Sequence, residues 1–173
     1  LVNEFGGNLF TIAKDVKLQI EFNPALVQSY RLIGYENRML AKEDFNNDKK
    51  DAGELGSGHT VTALYEIIPV GVPDETIDNV DVLRYQKSTS KTEPTAFGNE
   101  LMNIKFRYKK PDGDKSSLIE QALKNKPVLL QQTTSNFRFA AAVAEFGMVL
   151  RHSKYKGSAD LNNVLQLVLS TSN

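Results

Sequence analysis

The spacing of apolar residues changes period once along this chain, and that switch limits the folds open to it. From Asp15 to Phe22 the pattern alternates: Val16, Leu18, Ile20 and Phe22 fall on one face, Asp15, Lys17, Gln19 and Glu21 on the other. Successive strand side chains face opposite sides, so this is a half-buried strand. From Asn136 the period lengthens. Phe139, Val143, Phe146 and Leu150 recur at helical spacing, with Ala140, Ala141, Ala142 and Ala144 as strong helix formers. Strands first and helices last predict an α+β fold, an antiparallel β-sheet or sandwich followed by a C-terminal helical pair.

The remaining elements follow from local chemistry. Leu1 to Phe5 reads as the last turn of a helix closed by Gly6-Gly7, and Asn8 to Ala13 as a short strand. Asn23-Pro24 breaks the alternating strand. Leu26 to Tyr35, Thr60 to Pro69 and Glu100 to Lys109 read as strands, with Val82 to Gln86 as a short edge strand. Pro111-Asp112-Gly113-Asp114 suits a hairpin turn, and residues 116 to 123 return as a strand, with helix as the rival. Residues 41 to 58 read as a long polar loop, Gly71 to Asp81 as a turn region, and Lys87 to Asn99 as a flexible loop. Ser135 or Asn136 can cap the first helix. Ser158 can cap a second, whose stripe is Leu161, Val164, Leu165 and Val168.

Composition excludes several classes of function. The 21 basic and 21 acidic residues cancel, so no electrostatic funnel draws nucleic acid. The basic run Lys105 to Lys110 alternates with Ile104, Phe106 and Tyr108, which reads as the solvated side of a strand rather than a phosphate track. With no cysteine, disulfides and thiolate zinc sites are impossible. No apolar run approaches the ~20 residues that span a bilayer. The chain opens at Leu1, which reads as an internal piece of a longer polypeptide whose targeting signal lies upstream.

Enzyme signatures are missing as strings. His59 and His152 sit on different elements and read as structural or surface residues. Gly56-Ser57-Gly58 lacks the spacing of a nucleophile elbow, and no glycine-rich phosphate loop occurs. Asp112 and Asp114 are explained by the turn they occupy. Arg31, Glu36, Asn37 and Arg38, with Glu66 on another strand, read as an internal salt-bridge network. One loop could hold a cation: Asp44, Asn46 and Asp48 alternate, followed by Asp51 and Glu54. Calcium loops place oxygens at alternate positions so that one turn aims several at one ion. The full EF-hand pattern fails, since its sixth position is Lys49 and its twelfth is Leu55. The plainer reading is a solvated acidic loop with Lys49 and Lys50 as local counter-charges.

Several strings are distinctive. They are Ala13-Lys14-Asp15-Val16-Lys17, Glu21-Phe22-Asn23-Pro24, Tyr30-Arg31-Leu32-Ile33-Gly34-Tyr35-Glu36-Asn37-Arg38, Gly58-His59-Thr60-Val61-Thr62-Ala63-Leu64-Tyr65-Glu66 and Phe137-Arg138-Phe139-Ala140-Ala141-Ala142-Val143-Ala144. Together with Glu43-Asp44-Phe45, Asp51-Ala52-Gly53-Glu54 and Tyr155-Lys156-Gly157 they resemble the region after the von Willebrand factor type A (VWA) domain in bacterial YfbK-like proteins. The resemblance covers most of the chain from about residue 9 and is weak from 70 to 99. It implies that residues 1 to 13 are the end of a VWA domain and 14 to 173 a C-terminal domain, β-rich over 14 to 132 and helical over 136 to 172. It also implies the cell envelope, as a periplasmic protein or membrane-anchored lipoprotein. A VWA metal site needs an Asp-x-Ser-x-Ser string, and the nearest match, Asp114-Lys115-Ser116-Ser117-Leu118, fails.

The expectation is therefore a non-catalytic protein-interaction or scaffold module, without a cofactor, that orients its upstream VWA domain or adds surface for a protein partner. One rival is a calcium-dependent binding domain using the loop at 43 to 54. The other is a hydrolase assembled from scattered acids and His59.

Overall fold

A computed structural model describes residues 10–34, 40–73 and 97–171. Its architecture is α+β, two antiparallel sheets followed by two helices. The strands are β1 Thr11–Phe22, β2 Val27–Ile33, β3 Gly53–Gly56, β4 Leu64–Pro69, β5 Glu100–Lys109 and β6 Ser116–Lys124. The helices are α1 Ser135–Leu150 and α2 Leu161–Leu169. One sheet has the order β3-β1-β5-β6, and the other pairs β2 with β4. The Pro111 to Asp114 turn joins β5 to β6 as expected, with the Gly113 N–H donating to Lys110 O at 2.9 Å. Residues 116 to 123 are strand, not helix.

Where two short strands are expected around Ala13, one continuous strand runs. It absorbs an extra residue at Asp15, whose φ is 51°. The pairing slips there against both neighbours, between Ala13 and Val16 towards β3 and between Lys14 and Lys17 towards β5. This is a β-bulge, which bends a strand and re-aims its side chains. Aspartate tolerates the left-handed region better than most residues. Here its carboxylate is also held, accepting from the Ala52 N–H at 3.3 Å and from Lys109.

β1 ends where Asn23-Pro24 was expected to end it. The Asn23 side chain accepts from the Ala25 N–H at 3.0 Å and donates to Glu100 O at 2.7 Å. One residue therefore makes the turn and fastens it to β5. Phe22 links the two sheets, its ring centroid 4.5 Å from that of Tyr30 on β2 and 5.6 Å from that of Tyr65 on β4. β2 and β4 are shorter than the sequence suggests: Gly34 turns at φ 75°, and residues 60 to 63 lie outside the strand. The expected loop from 41 to 58 is not all loop either, because β3 forms within it and pairs with β1.

The helix caps also fall at other residues. Thr134 accepts from the Phe137 N–H at 3.2 Å, and Asp160 from the Asn163 N–H at 2.8 Å. Ser135 is already inside α1, and Ser158 lies two residues before the cap of α2. Arg138 donates to Ser170 O at 2.9 Å, which ties the start of α1 to the end of α2 and makes the pair antiparallel. Their connection rests on the smaller sheet, where the Arg31 guanidinium sits 3.9 Å from the Tyr155 ring centre.

The buried apolar residues are Ala13, Phe22, Val27, Phe45 and Ala142 among those described. That is a thin core for two sheets and two helices. The stripe expected to face it, Phe139, Val143, Phe146 and Leu150, is exposed, and α1 meets α2 through its alanine side instead. The proposed elements at Leu1 to Phe5 and Val82 to Gln86, most of the loop from Lys87 to Asn99, and Glu36, Asn37 and Arg38 lie outside the described residues.

Phe22 is the test of how the sheets are joined. Phe22→Ala should lower stability by about 3 kcal/mol or more in urea denaturation, whereas Phe22→Leu should cost less than about 1.5 kcal/mol. Equal, small losses would mean that the sheets do not pack through this ring.

Candidate functional site

The acidic loop singled out from the sequence does not stand free in solvent. It folds over the polar side of the larger sheet and is held there by three cations from β1 and β5. Lys17 donates to Asp44 O at 3.1 Å and Asn47 O at 2.5 Å. Lys109 donates to Asp48 O and to Asp15 Oδ2, both at 2.6 Å. Arg107 reaches Asn46 Oδ1 at 3.0 Å and Ser116 Oγ at 2.6 Å, lies 4.0 Å from Asp48 Oδ1, and stands over the Phe45 ring. Phe45 is buried beneath this cover.

Two expectations change as a result. Lys17 was placed on a solvated face, yet it is 3% exposed. The Lys105 to Lys110 run was read as a solvated side, yet β5 is an inner strand and Lys109 is buried. The cause is common to both: the loop supplies backbone carbonyls, and an ammonium leaves water at tolerable cost only where such acceptors meet it.

The five calcium candidates are dispersed. Asp44 pairs with Lys50 at 3.8 Å, Asn46 with Arg107, and Asp48 with Arg107 and the Ser116 N–H at 3.5 Å. Glu54 sits on β3 and accepts from the Thr11 hydroxyl at 3.3 Å, while Asp51 is exposed. No group of three His, Cys, Asp or Glu side chains able to hold a metal occurs among the described residues. The loop's backbone and side-chain oxygens accept from Lys17, Arg107 and Lys109.

The electrostatics agree with the geometry. The hydrogen bond from Lys109 holds the Asp15 carboxyl below its ordinary pKa, helped by the Ala52 N–H and against the effect of burial. The Ser116 hydroxyl, then its N–H, do the same for Asp48. Asp15 in turn raises the pKa of Lys109. Elsewhere, Arg31 pairs with Glu66 as expected. The His59 N–H closes a turn on Gly56 O at 3.1 Å, and His152 sits in the left-handed conformation just past α1.

The other side of the larger sheet is apolar. Leu18 lies opposite Phe106, Phe106 opposite Ile119, Ile20 opposite Ile104, and Met102 opposite Leu123. The smaller sheet covers its Phe22 end, while further along Leu18 is 47% exposed, Ile119 54% and Leu123 43%. The loop thus covers one end of the polar face, where Lys17, Arg107 and Lys109 lie, while Gln19, Glu21 and Glu120 on that face stay exposed; on the apolar face Leu18, Ile119 and Leu123 form a partly bare patch. A cleft of about 610 Å³ opens at the end of this sheet, lined by Phe22, Pro24, Met102 and Phe97 with Glu21 and Glu100.

Sequence reasoning missed Lys17, Arg107 and Lys109 as the loop's partners. The available signal was the match between a base-rich strand and an acid-rich loop of similar length.

Comparison with known proteins adds a family. Residues 7–173 match the family model described as the C-terminal part of uncharacterized protein YfbK. The YfbK protein of Escherichia coli (strain K12) is 40% identical over 168 residues, which is 96% of this chain and 28% of that protein. The chain thus spans under a third of this relative's length. No solved structure matches.

The clamp has a pH signature. A lowered carboxyl pKa stabilises the fold above the ordinary value of ~3.9 and loses that contribution as pH falls through the folded value. The raised pKa of Lys109 stabilises below ~10.4 and loses its contribution as pH rises through the folded value. Stability should therefore plateau between those limits, and Asp15→Asn should lower the plateau and shrink the acid limb in pH-dependent melting. Lys17→Met should cost about 1.5–3 kcal/mol and accelerate amide exchange over residues 44 to 50. Unchanged exchange there would mean that Lys17 does not hold the loop.

Proposed function

Because the chain belongs to the family of YfbK C-terminal regions, we propose that it is a non-catalytic interaction and scaffold module of a bacterial cell-envelope protein. In this reading it orients a VWA domain that precedes it. The observation that carries the reading is the bare apolar face around Leu18, Ile119 and Leu123. A sheet with a partly bare apolar face is half of a layered structure, and its stable completion is another body against that face.

The upstream domain is the occupant best placed to do this. By the resemblance that domain ends within residues 1 to 13, so it adjoins β1, an inner strand of the sheet. A body joined so closely to a clamped inner strand has little freedom to reorient and a high effective concentration beside the open face. The VWA identity of that body and the envelope location rest on the resemblance of the strings given above, with a periplasmic or lipoprotein-anchored form implied by it. Among the described residues no helix is long and apolar enough to cross a membrane.

The calcium alternative gains no support from the loop, whose oxygens are turned to separate partners within the chain.

Calorimetric titration of the chain with the separately expressed VWA domain should show saturable binding. Leu18→Glu with Ile119→Glu, both at exposed positions, should weaken it roughly tenfold or more without changing the fold. Absence of binding, or indifference to the double substitution, would remove the orienting role. Thermal melting in calcium, magnesium and chelator should give coincident curves. A calcium-specific rise that Asp44→Ala with Asp48→Ala abolishes would make the loop a metal site.

A further inference from the structure

The helical pair carries a second apolar surface, separate from the sheet face. On α1, Phe139, Val143, Phe146 and Leu150 follow the four-three-four spacing of a coiled-coil seam, and they are 53, 55, 43 and 60% exposed. On α2, Leu161, Leu165 and Leu169 repeat every fourth residue and are 58, 53 and 56% exposed. The faces through which the helices meet are different, centred on Ala142 in α1 and Val164 and Val168 in α2.

Helical geometry places the two stripes together. At about 100° per residue, each stripe lies roughly 70–80°, a little under a quarter-turn, from its helix's contact face, in the direction of increasing residue number. In an antiparallel pair the same rotational offset brings both stripes to the same side. The pair is antiparallel, as the Arg138 to Ser170 bond shows. The seven side chains therefore form one continuous patch.

We propose that this patch is a self-association surface, and that its occupant is the helical pair of a second copy of this chain, closing an antiparallel four-helix bundle across a two-fold axis. Three observations favour a second copy. Residues 161 to 169 contain no charged residue, and 135 to 150 contain only Arg138 and Glu145. Arg138 is turned away to Thr133 O and Ser170 O. A partner selected by charge would need charges around the patch, whereas an apolar stripe matches itself. The chain's net charge is zero, so two copies do not repel. With roughly 100 Å² offered by each half-exposed side chain, the patch presents on the order of 700 Å². That approaches the ~800 Å² per partner of a standard stable interface. Two helical hairpins meeting on such faces form an ordinary four-helix bundle.

The test is the solution mass of the 173-residue chain by sedimentation equilibrium, beside that of a longer polypeptide that contains it. Both should double in mass at micromolar concentration. Val143→Glu with Leu165→Glu should weaken the dimer roughly tenfold or more. Because both positions are exposed, the circular dichroism and melting of the monomeric fold should be retained. Leu18→Glu, on the sheet face, should leave the dimer intact, which separates this surface from the one assigned to the upstream domain. A monomeric chain, a dimer indifferent to the helical substitutions, or a longer polypeptide that stays monomeric because it covers the patch itself would each overturn the proposal.

Discussion

Two lysine ammonium groups lie under the polar side of the larger sheet, and an ammonium removed from water must be met by oxygen. Lys17 finds Asp44 O and Asn47 O; Lys109 finds Asp48 O and the Asp15 carboxylate. Much of the architecture follows from that requirement. The loop must cross over the sheet to deliver its carbonyls, and after doing so it returns along β1 as β3. The bulge at Asp15 sets its carboxylate between Lys109 and the Ala52 N–H. Phe45 then fills the space beneath the crossing. Hydrogen bonds to a charged group are each worth about 1.5–3 kcal/mol. Removing one cation would also strand the carbonyls it serves.

The partly bare apolar side is the more consequential face. A single sheet needs one covered face, and the acidic loop covers only the Lys17, Arg107 and Lys109 end of the polar one. Leu18, Ile119 and Leu123 stay about half exposed, and the helical pair shows its larger apolar stripes outward as well. Two bare surfaces on one chain are costly in isolation and ordinary in an assembly. They are the features that support the proposed interaction role.

The fold class was legible in the period of the apolar residues. Alternation over Asp15 to Phe22, turn chemistry at Asn23-Pro24 and Pro111 to Asp114, and the helical spacing after Asn136 all describe local geometry, which neighbouring residues decide. The direction each face takes was not legible. Lys17 falls on the nominally wet face and is buried, while Phe139 and Val143 fall on the nominally buried face and are exposed. Both reversals come from which element covers which side, a long-range property that alternation does not encode. Within the candidate site, Asp44, Asn46 and Asp48 drew notice as oxygen donors to an ion, and the loop is indeed an acceptor site. Its cations come from strands 27 to 61 residues away in sequence.

The proposed role stands or falls on whether the apolar sheet face packs against an upstream domain. Hydroxyl-radical footprinting reads side-chain exposure directly, and the informative comparison is this chain alone against the longer polypeptide with its upstream domain in place. Strong oxidation of Leu18, Ile119 and Leu123 in the chain alone and protection of all three in the longer polypeptide is the predicted result. Equal oxidation in both would contradict it.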